Sequence, residues 1–136
     1  MKIIWRITQQ DIIDTNQKVI SLKLDPLDEF CVRHDVLDDI FDMLDKLKVS
    51  DDLQGLLQKG AYLMAYIAWA QPFCAGNKRN AILITANFFH HNGVEMVIPD
   101  DGKELRKLLY EIQEDRSGLN EAVMKRMIFY ISKTLI

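Results

Sequence analysis

The sequence predicts an all-α protein, a bundle of about six helices around a central helix. Residues that break helices are sparse, with 6 Gly and 3 Pro among 136 residues. Between them, apolar residues recur at spacings of three and four rather than in alternation, which is typical of amphipathic helices. Hydrophobic residues make up 49% and charged residues 27%, which is ordinary usage for a chain with a core. At ~100–200 residues per domain, residues 1–136 are expected to form a single domain.

The first helix is predicted to begin after Thr8 and to turn Ile12, Ile13, Val19 and Ile20 inward, without a clear signal for its end. Thr8 followed three residues later by Asp11 resembles a capping box with a shorter acid. Residues 21–33 contain Pro26 and no steady period, so they predict an extended segment or loop that allows a small β-hairpin flap. A second helix begins near Asp35, with a charged face turned to solvent.

The third and fourth helices flank the stretch QPFCAG. Ser50 and Asp51 supply N-cap chemistry for the third helix, whose inward stripe ends at the polar Gln71 before Pro72 stops it. The fourth helix is expected from about Asn77 to Asn92, with Gly93 as the C′ residue. It is apolar on nearly every side, so we expect it to be the central helix.

The last third of the chain predicts one short extended run and two helices. Val94, Met96 and Ile98 alternate only briefly, long enough for a short strand. The remaining helices are expected at about 102–115 and 120–135, from apolar residues spaced by three and four.

Charge and cysteine content exclude several classes of protein. A formal charge of -3 and a pI of about 5.6 lack the basic excess of a general nucleic-acid binder. No window approaches the ~18 uninterrupted apolar residues of a membrane-spanning helix, and the opening MKIIWRITQQ is apolar for too few residues to be a signal peptide. Cys31 and Cys74 cannot make a disulfide framework. We therefore expect a cytoplasmic protein with reduced cysteines and Cys31 as a small buried hydrophobe.

Residues 71–79 are the most informative stretch for function. They lead through Gly76 into the N-terminus of the fourth helix, where unpaired N–H groups and the positive dipole end favour an anion. Lys78 and Arg79 lie in that first turn, where cations are normally disfavoured, and a bound anion would remove the conflict. Asn77 could cap the helix or contact the ligand. The alternative is that Asn77 is merely an N-cap and that Lys78 and Arg79 point into water.

This stretch resembles the Fic/Doc (death-on-curing) signature, His-x-Phe-x-Asp/Glu-Gly/Ala-Asn-Lys/Gly-Arg. The resemblance extends to three further segments, Thr8–Ile20, Val32–Leu37 and Phe88–Gly93. In all, it covers most of residues 3–131. The chain resembles the Doc branch more than the adenylylating Fic branch, because it has Lys78 in the motif and Ile82 in place of a later Arg.

The resemblance implies transfer of a phosphoryl or nucleotidyl group from a nucleoside triphosphate to a protein hydroxyl. Phe73 occupies the motif Phe position, and Gly76 to Arg79 retain the loop that would hold the phosphates of ATP or another nucleotide. Gln71 replaces the His and cannot take a proton near neutral pH. Ala75 replaces the acidic residue and cannot ligate Mg²⁺, so no protein ligand for a metal is expected. The implied activity is weak or lost.

Ser117 to Ala122 are close to the inhibitory Ser/Thr-x-x-x-Glu-Gly/Asn pattern of the same family, in which the Glu pairs with a motif Arg. Glu121 is the matching residue, and the alternative is that it interacts with a helix dipole. The resemblance also implies an antitoxin-like partner and a target protein. Two other readings stay open: a non-enzymatic module that binds a partner peptide beside the flap, and an active transferase that uses Gln71 only for orientation.

Overall fold

The computed structural model describes residues 2–5 and 7–136; Met1 and Arg6, which belong to the opening apolar segment, lie outside the described residues. Within the described part, the chain forms six α-helices and no sheet, which confirms the predicted all-α fold class. The helices are α1 (Gln9–Ser21), α2 (His34–Lys46), α3 (Leu53–Ala70), α4 (Asn77–His91), α5 (Lys103–Glu114) and α6 (Glu121–Thr134). None of these six helices is long and apolar enough to cross a membrane.

The starts of α1 and α3 show how local chemistry sets helix boundaries. At α1 the predicted capping box is confirmed: the Thr8 amide donates to Asp11 Oδ2 at 2.8 Å, and the Asp11 amide donates to Thr8 Oγ1 at 3.1 Å. At α3 the N-cap is Asp52 rather than Ser50 or Asp51, because the Asp52 carboxylate reaches the Gly55 amide at 2.8 Å. Hydrogen bonds from Ser50 and Gly55 lower the pKa of Asp52, which keeps the cap ionised.

The centre of the bundle is α3, and the prediction that α4 lies there is wrong. Helix α3 packs against α2, α4, α5 and α6, whereas α4 packs mainly against α3 and α1. The outer side of α4 carries Leu83, which is 51% exposed, and Asn87. Four neighbouring helices can pack closely against α3 because small residues recur along it. These are Gly55, Gly60, Ala61, Ala65 and Ala68, all buried.

Helices α3 and α4 approach each other closely at Gly60. The ring of Phe89, itself fully buried, lies directly against the Gly60 backbone, so that a Cβ at this position would overlap the ring. Glycine is therefore required at Gly60 by packing on the neighbouring helix rather than by its backbone angles.

The two segments predicted as extended form single β-bridges instead of strands. Within the described residues, the segment between α1 and α2 forms no hairpin, and only Val32 pairs, antiparallel, with Phe73. After α4, Met96 pairs with Leu135, and the Val97 amide donates to the Thr134 carbonyl at 2.7 Å. Pro26 and the lack of alternation leave the first segment without the paired N–H groups that a hairpin needs.

Candidate functional site

A cavity of about 600 Å³ opens where two loops and two helices meet. The loops are the α1–α2 loop (residues 22–33) and the α3–α4 loop (residues 71–76), and the helices are α5 and the first turn of α4. Of the predicted residues, the cavity is lined by Gln71, Ala75, Gly76, Asn77, Lys78 and Arg79. Five residues that were not predicted also line it: Asp25, Asp28, Cys74, Arg106 and Gln113. The structure thus brings together in one cavity the residues of the stretch that the sequence singled out.

The N-terminus of α4 forms part of the cavity wall. Gly76 is its N-cap, with φ +76, and the Asn80 amide donates to the Gly76 carbonyl at 2.9 Å as the first bond of the helix. The three preceding amides, those of Asn77, Lys78 and Arg79, therefore have no carbonyl partner within the helix. Together with the helix dipole, they offer a site for negative charge.

Gly76 is required by both its conformation and its surroundings. Its left-handed φ is one that side chains rarely adopt. A Cβ there would also lie 3.1 Å from Val19 Cγ1 and 3.2 Å from Asn16 Nδ2, both on α1. The glycine thus lets the α3–α4 loop lie against α1, a role in packing that the sequence did not indicate.

The Asn77 side chain closes the α3–α4 loop and does not cap the helix. Its Oδ1 accepts from the Phe73 amide at 3.1 Å, and its Nδ2 donates to the Phe73 carbonyl at 2.9 Å. Phe73 is 1% exposed and belongs to the hydrophobic core. The predicted N-cap role of Asn77 is therefore wrong, because its carboxamide instead matches the paired donor and acceptor of a single residue.

Two further side chains hold the α3–α4 loop from other elements. Asn16 of α1 donates to the Ala75 carbonyl at 2.9 Å. Arg33 donates to the Gln71 carbonyl at 2.6 Å and to the Phe73 carbonyl at 2.9 Å. The loop is fastened on several sides, which gives the amide groups of the α4 N-terminus a defined position.

The two cations of the predicted motif turn toward partners in the protein, so the alternative that they merely point into water is wrong. Lys78 Nζ lies 2.5 Å from Gln113 Oε1 and 5.0 Å from the centroid of the Tyr110 ring. Arg79 Nη2 lies 3.4 Å from Asp28 Oδ2. Within the described residues, Arg79 Nη1 is buried and has no hydrogen-bond partner.

Charge in the cavity is mixed, with three cations against two carboxylates. Arg106 of α5 joins Lys78 and Arg79 on the lining, and the α1–α2 loop contributes Asp25 and Asp28. An anion that enters must therefore compete with Asp28 for Arg79. A buried, unpaired N–H of a guanidinium is costly, which favours a ligand that supplies an acceptor to Nη1.

Gln71 and Ala75 lie at the cavity as the motif predicts, and neither supplies proton-transfer or metal chemistry. Gln71 ends α3 in the left-handed region, with φ 53, and its carboxamide cannot act as a general base near neutral pH. Ala75 has no ligand atom on its side chain. Among residues 2–5 and 7–136, no group of three His, Cys, Asp or Glu side chains could hold a metal ion.

Cys31 and Cys74 form a disulfide, so the prediction of reduced, separate cysteines is wrong. Their Cα atoms lie 5.4 Å apart although 43 residues separate them. The α1–α2 loop turns back alongside the α3–α4 loop, where the Arg33 amide donates to the Pro72 carbonyl at 2.8 Å. Cys31 is half-buried and Cys74 is exposed, so Cys31 is not the buried hydrophobe that was expected.

Glu121 does not reach the cavity. It is the first residue of α6 and lines a separate cavity of about 440 Å³ with Tyr62, Tyr66 and Trp69. The acid on Arg79 is Asp28 instead. The expected inhibitory pairing is therefore not seen, and the position of Glu121 in the first turn of α6 fits the alternative role at a helix dipole.

Apart from Cys74, which lies within the motif, the lining residues that sequence reasoning missed come from elements outside it. Asp25 and Asp28 lie in the segment that was expected to be a flap. That position was the one sequence signal that could have marked them as site residues. Arg106 and Gln113 are seven residues apart on α5 and therefore share one face of the helix, but nothing in their spacing indicated which cavity that face would line.

Comparisons of the chain with protein-family models, with curated proteins and with solved structures find no match.

Proposed function

We propose that the protein is a Doc-like member of the Fic/Doc family, of toxin–antitoxin type, whose cavity binds a phosphate-bearing ligand such as ATP or another nucleotide. The observation that carries the proposal is Arg79, which lies in the first turn of α4 and whose buried Nη1 has no hydrogen-bond partner among the described residues. The amide groups that open the same helix have no carbonyl partner within it. A phosphate would satisfy both, since it offers several acceptor oxygens and a negative charge.

The size and charge of the cavity agree with this ligand class. A volume of about 600 Å³ lies within the usual range of ~300–1,000 Å³ for small-molecule sites. Lys78 and Arg106 add positive charge on the side of α5, where the further phosphates of a nucleotide would need it. Such a ligand would be oriented by the α3–α4 loop rather than by a metal ion held by protein residues.

The family reaction, transfer of a phosphoryl or nucleotidyl group to a hydroxyl of a target protein, is expected to be weak or absent. Gln71 stands where the family has its general base, and loss of such a base typically costs ~10²–10⁴ in rate. Ala75 leaves the phosphates without the carboxylate that would hold Mg²⁺. Both replacements impair the group-transfer step and leave the phosphate-binding residues in place. Ligand binding is therefore expected to be retained where catalysis is lost.

Calorimetric titration with ATP, with and without Mg²⁺, tests the binding. We expect saturable binding that weakens roughly 10- to 100-fold in Arg79→Ala, the range for loss of charge-assisted hydrogen bonds. Arg126→Ala is the matched control, because Arg126 pairs with Glu111 at 2.6 Å and neither residue lines the cavity.

Two results would contradict parts of the proposal. Equal affinities of wild type and Arg79→Ala for ATP would contradict a phosphate site at Arg79. ATP-dependent modification of a protein, abolished by Arg79→Ala, would show that the transferase is active and that Gln71 suffices for orientation.

A second candidate, an interaction module for an antitoxin-like protein, is favoured by the apolar surface of the α1–α2 loop. Leu22, Leu24 and Leu27 are 65%, 69% and 86% exposed, and Phe30 is 40% exposed. Exposed apolar side chains this close together are typical of surfaces that partners cover. Absence of ATP binding by the wild-type protein would favour this candidate over the first.

A cytoplasmic location also belongs to the proposal, because nucleoside triphosphates are abundant there. Disulfides of cytosolic proteins are usually transient. The Cys31–Cys74 bond would then be one that forms and breaks during the life of the protein.

A further inference from the structure

The α1–α2 loop forms an acidic wall of the cavity and is weakly held on its outer part. Asp28 reaches across to Arg79 at 3.4 Å. The other hydrogen bonds of residues 22–30 that the structure describes either stay within the segment, from the Leu27 and Asp28 amides to Asp25, or lead back to the end of α1, from the Leu22 and Lys23 amides. Its leucines face solvent, so little apolar burial keeps residues 22–30 in place.

The disulfide attaches this wall to the opposite loop at a point next to the cavity. Cys31 follows the exposed part of the α1–α2 loop, and Cys74 itself lines the cavity. The α3–α4 loop has anchors that depend neither on the disulfide nor on the α1–α2 loop, namely the bonds from Asn16 and Asn77. Without the disulfide, backbone bonds from the Cys74 amide to the Cys31 carbonyl at 3.4 Å and from the Arg33 amide to the Pro72 carbonyl at 2.8 Å would still join the two loops. Cleavage would therefore loosen the acidic wall of residues 22–30 and leave the phosphate loop in place.

Resting on the proposed function, we propose that the Cys31–Cys74 disulfide is a redox latch on the anion site. The intact bond holds Asp28 against Arg79, so that an incoming anion must displace a carboxylate already in place. Reduction lets residues 22–30 move away, frees Arg79 and raises the affinity for phosphate-bearing ligands.

Reduction of the latch proceeds by ordinary thiol–disulfide exchange with an external dithiol. A thiolate of the dithiol attacks the exposed Cys74 sulfur, forms a mixed disulfide and expels the Cys31 thiolate, which takes up a proton. The second thiol of the reagent, as its thiolate, then displaces Cys74, which is protonated in turn. The protein gains two electrons and two protons, and the reagent leaves as a disulfide.

Titration with inorganic pyrophosphate, on the oxidised protein and on the protein reduced with dithiothreitol under nitrogen, tests the latch. We expect the reduced form to bind roughly two- to fivefold more tightly, the effect of removing competition from a partly exposed ion pair. Loss of the disulfide in Cys31→Ser/Cys74→Ser should reproduce the reduced affinity and abolish the response to dithiothreitol. In oxidised Asp28→Asn, affinity should rise by a similar factor and then change little on reduction.

Three results would overturn the latch. They are equal affinities of the oxidised and reduced proteins, an Asp28→Asn variant that still responds like wild type, and free thiols at both cysteines in protein purified without reductant.

Hydrogen exchange separates failure of the latch from failure of the proposed function. Faster exchange of the amides of residues 22–31 on reduction supports release of the wall, whether or not pyrophosphate binds, and unchanged exchange overturns it. If no form of the protein binds pyrophosphate or ATP, the phosphate site is wrong and the exchange result alone decides whether the loop is released.

Discussion

The α3–α4 loop and the α1–α2 loop line the same cavity, yet they are built in opposite ways. The α3–α4 loop contains the buried Phe73 and is closed by the Asn77 carboxamide. The α1–α2 loop exposes most of its side chains, and Leu27 is 86% exposed. One loop therefore presents backbone amide groups in a defined geometry, whereas the other brings charge to the site without the packing that would hold it there.

The largest expected difference between the loops is in the free energy of unfolding after truncation of a phenylalanine. Phe73→Ala should lower it by about 3–5 kcal/mol, because a fully buried ring leaves a cavity. Phe30→Ala is the matched change in the α1–α2 loop and should cost about 1 kcal/mol or less, because its side chain is 40% exposed. Urea unfolding measures both, and equal costs would break the contrast between the loops.

A smaller effect is expected from Gly76→Ala, which tests how closely the α3–α4 loop lies against α1. A left-handed alanine costs about 1–2 kcal/mol, and the contacts with Val19 and Asn16 should add roughly 1 kcal/mol of overpacking. Gly93→Ala is the control, since its φ is +78 and nothing lies within 4 Å of its Cβ position. In thermal unfolding, the losses of stability of the two variants should differ only by the cost of overpacking against α1. An equal loss of stability would mean that the α3–α4 loop does not lie tightly against α1.

The smallest effect is expected from Asn16→Ala, which removes one anchor of the α3–α4 loop. The Ala75 carbonyl would lose its donor, at a cost of about 1–2 kcal/mol in unfolding free energy. Asn87→Ala on the exposed side of α4 should stay within about 0.5 kcal/mol. Hydrogen exchange should also quicken in residues 71–76 of Asn16→Ala alone, and unchanged exchange there would show that Asn16 does not anchor the loop.

The sequence predicted the helices well because their signals are local. Apolar spacing and the Thr8–Asp11 capping box depend on residues within one or two turns, and the structure has these helices within a few residues of the expected bounds. The identity of the central helix depends on which faces meet. The small residues of α3 decide that, and hydrophobicity along α4 alone pointed to the wrong helix.

For the site, the contiguous motif was predictable and the opposing wall was not. Gln71 to Arg79 are neighbours in sequence, so their meeting at one helix end follows from the chain itself. The positions of Asp28, Cys31 and Arg106 depend on how a loop and a distant helix turn back on the motif. Charge pairing and sulfur pairing across such distances leave no trace in local spacing, which is why the disulfide and the partner of Arg79 appeared only in three dimensions.

The Phe89 ring that lies against the Gly60 backbone has a consequence for evolution of the site. Twelve residues separate Phe89 from Asn77 along α4, about 18 Å at 1.5 Å per residue. Because α4 is a stiff rod, a bulkier residue in place of Gly60 would tilt it about this pivot and swing its opposite end. The orientation of the amides that open α4 thus depends on a contact near the other end of the helix. Under the proposed function, Gly60 would be under selection for ligand recognition without touching the ligand.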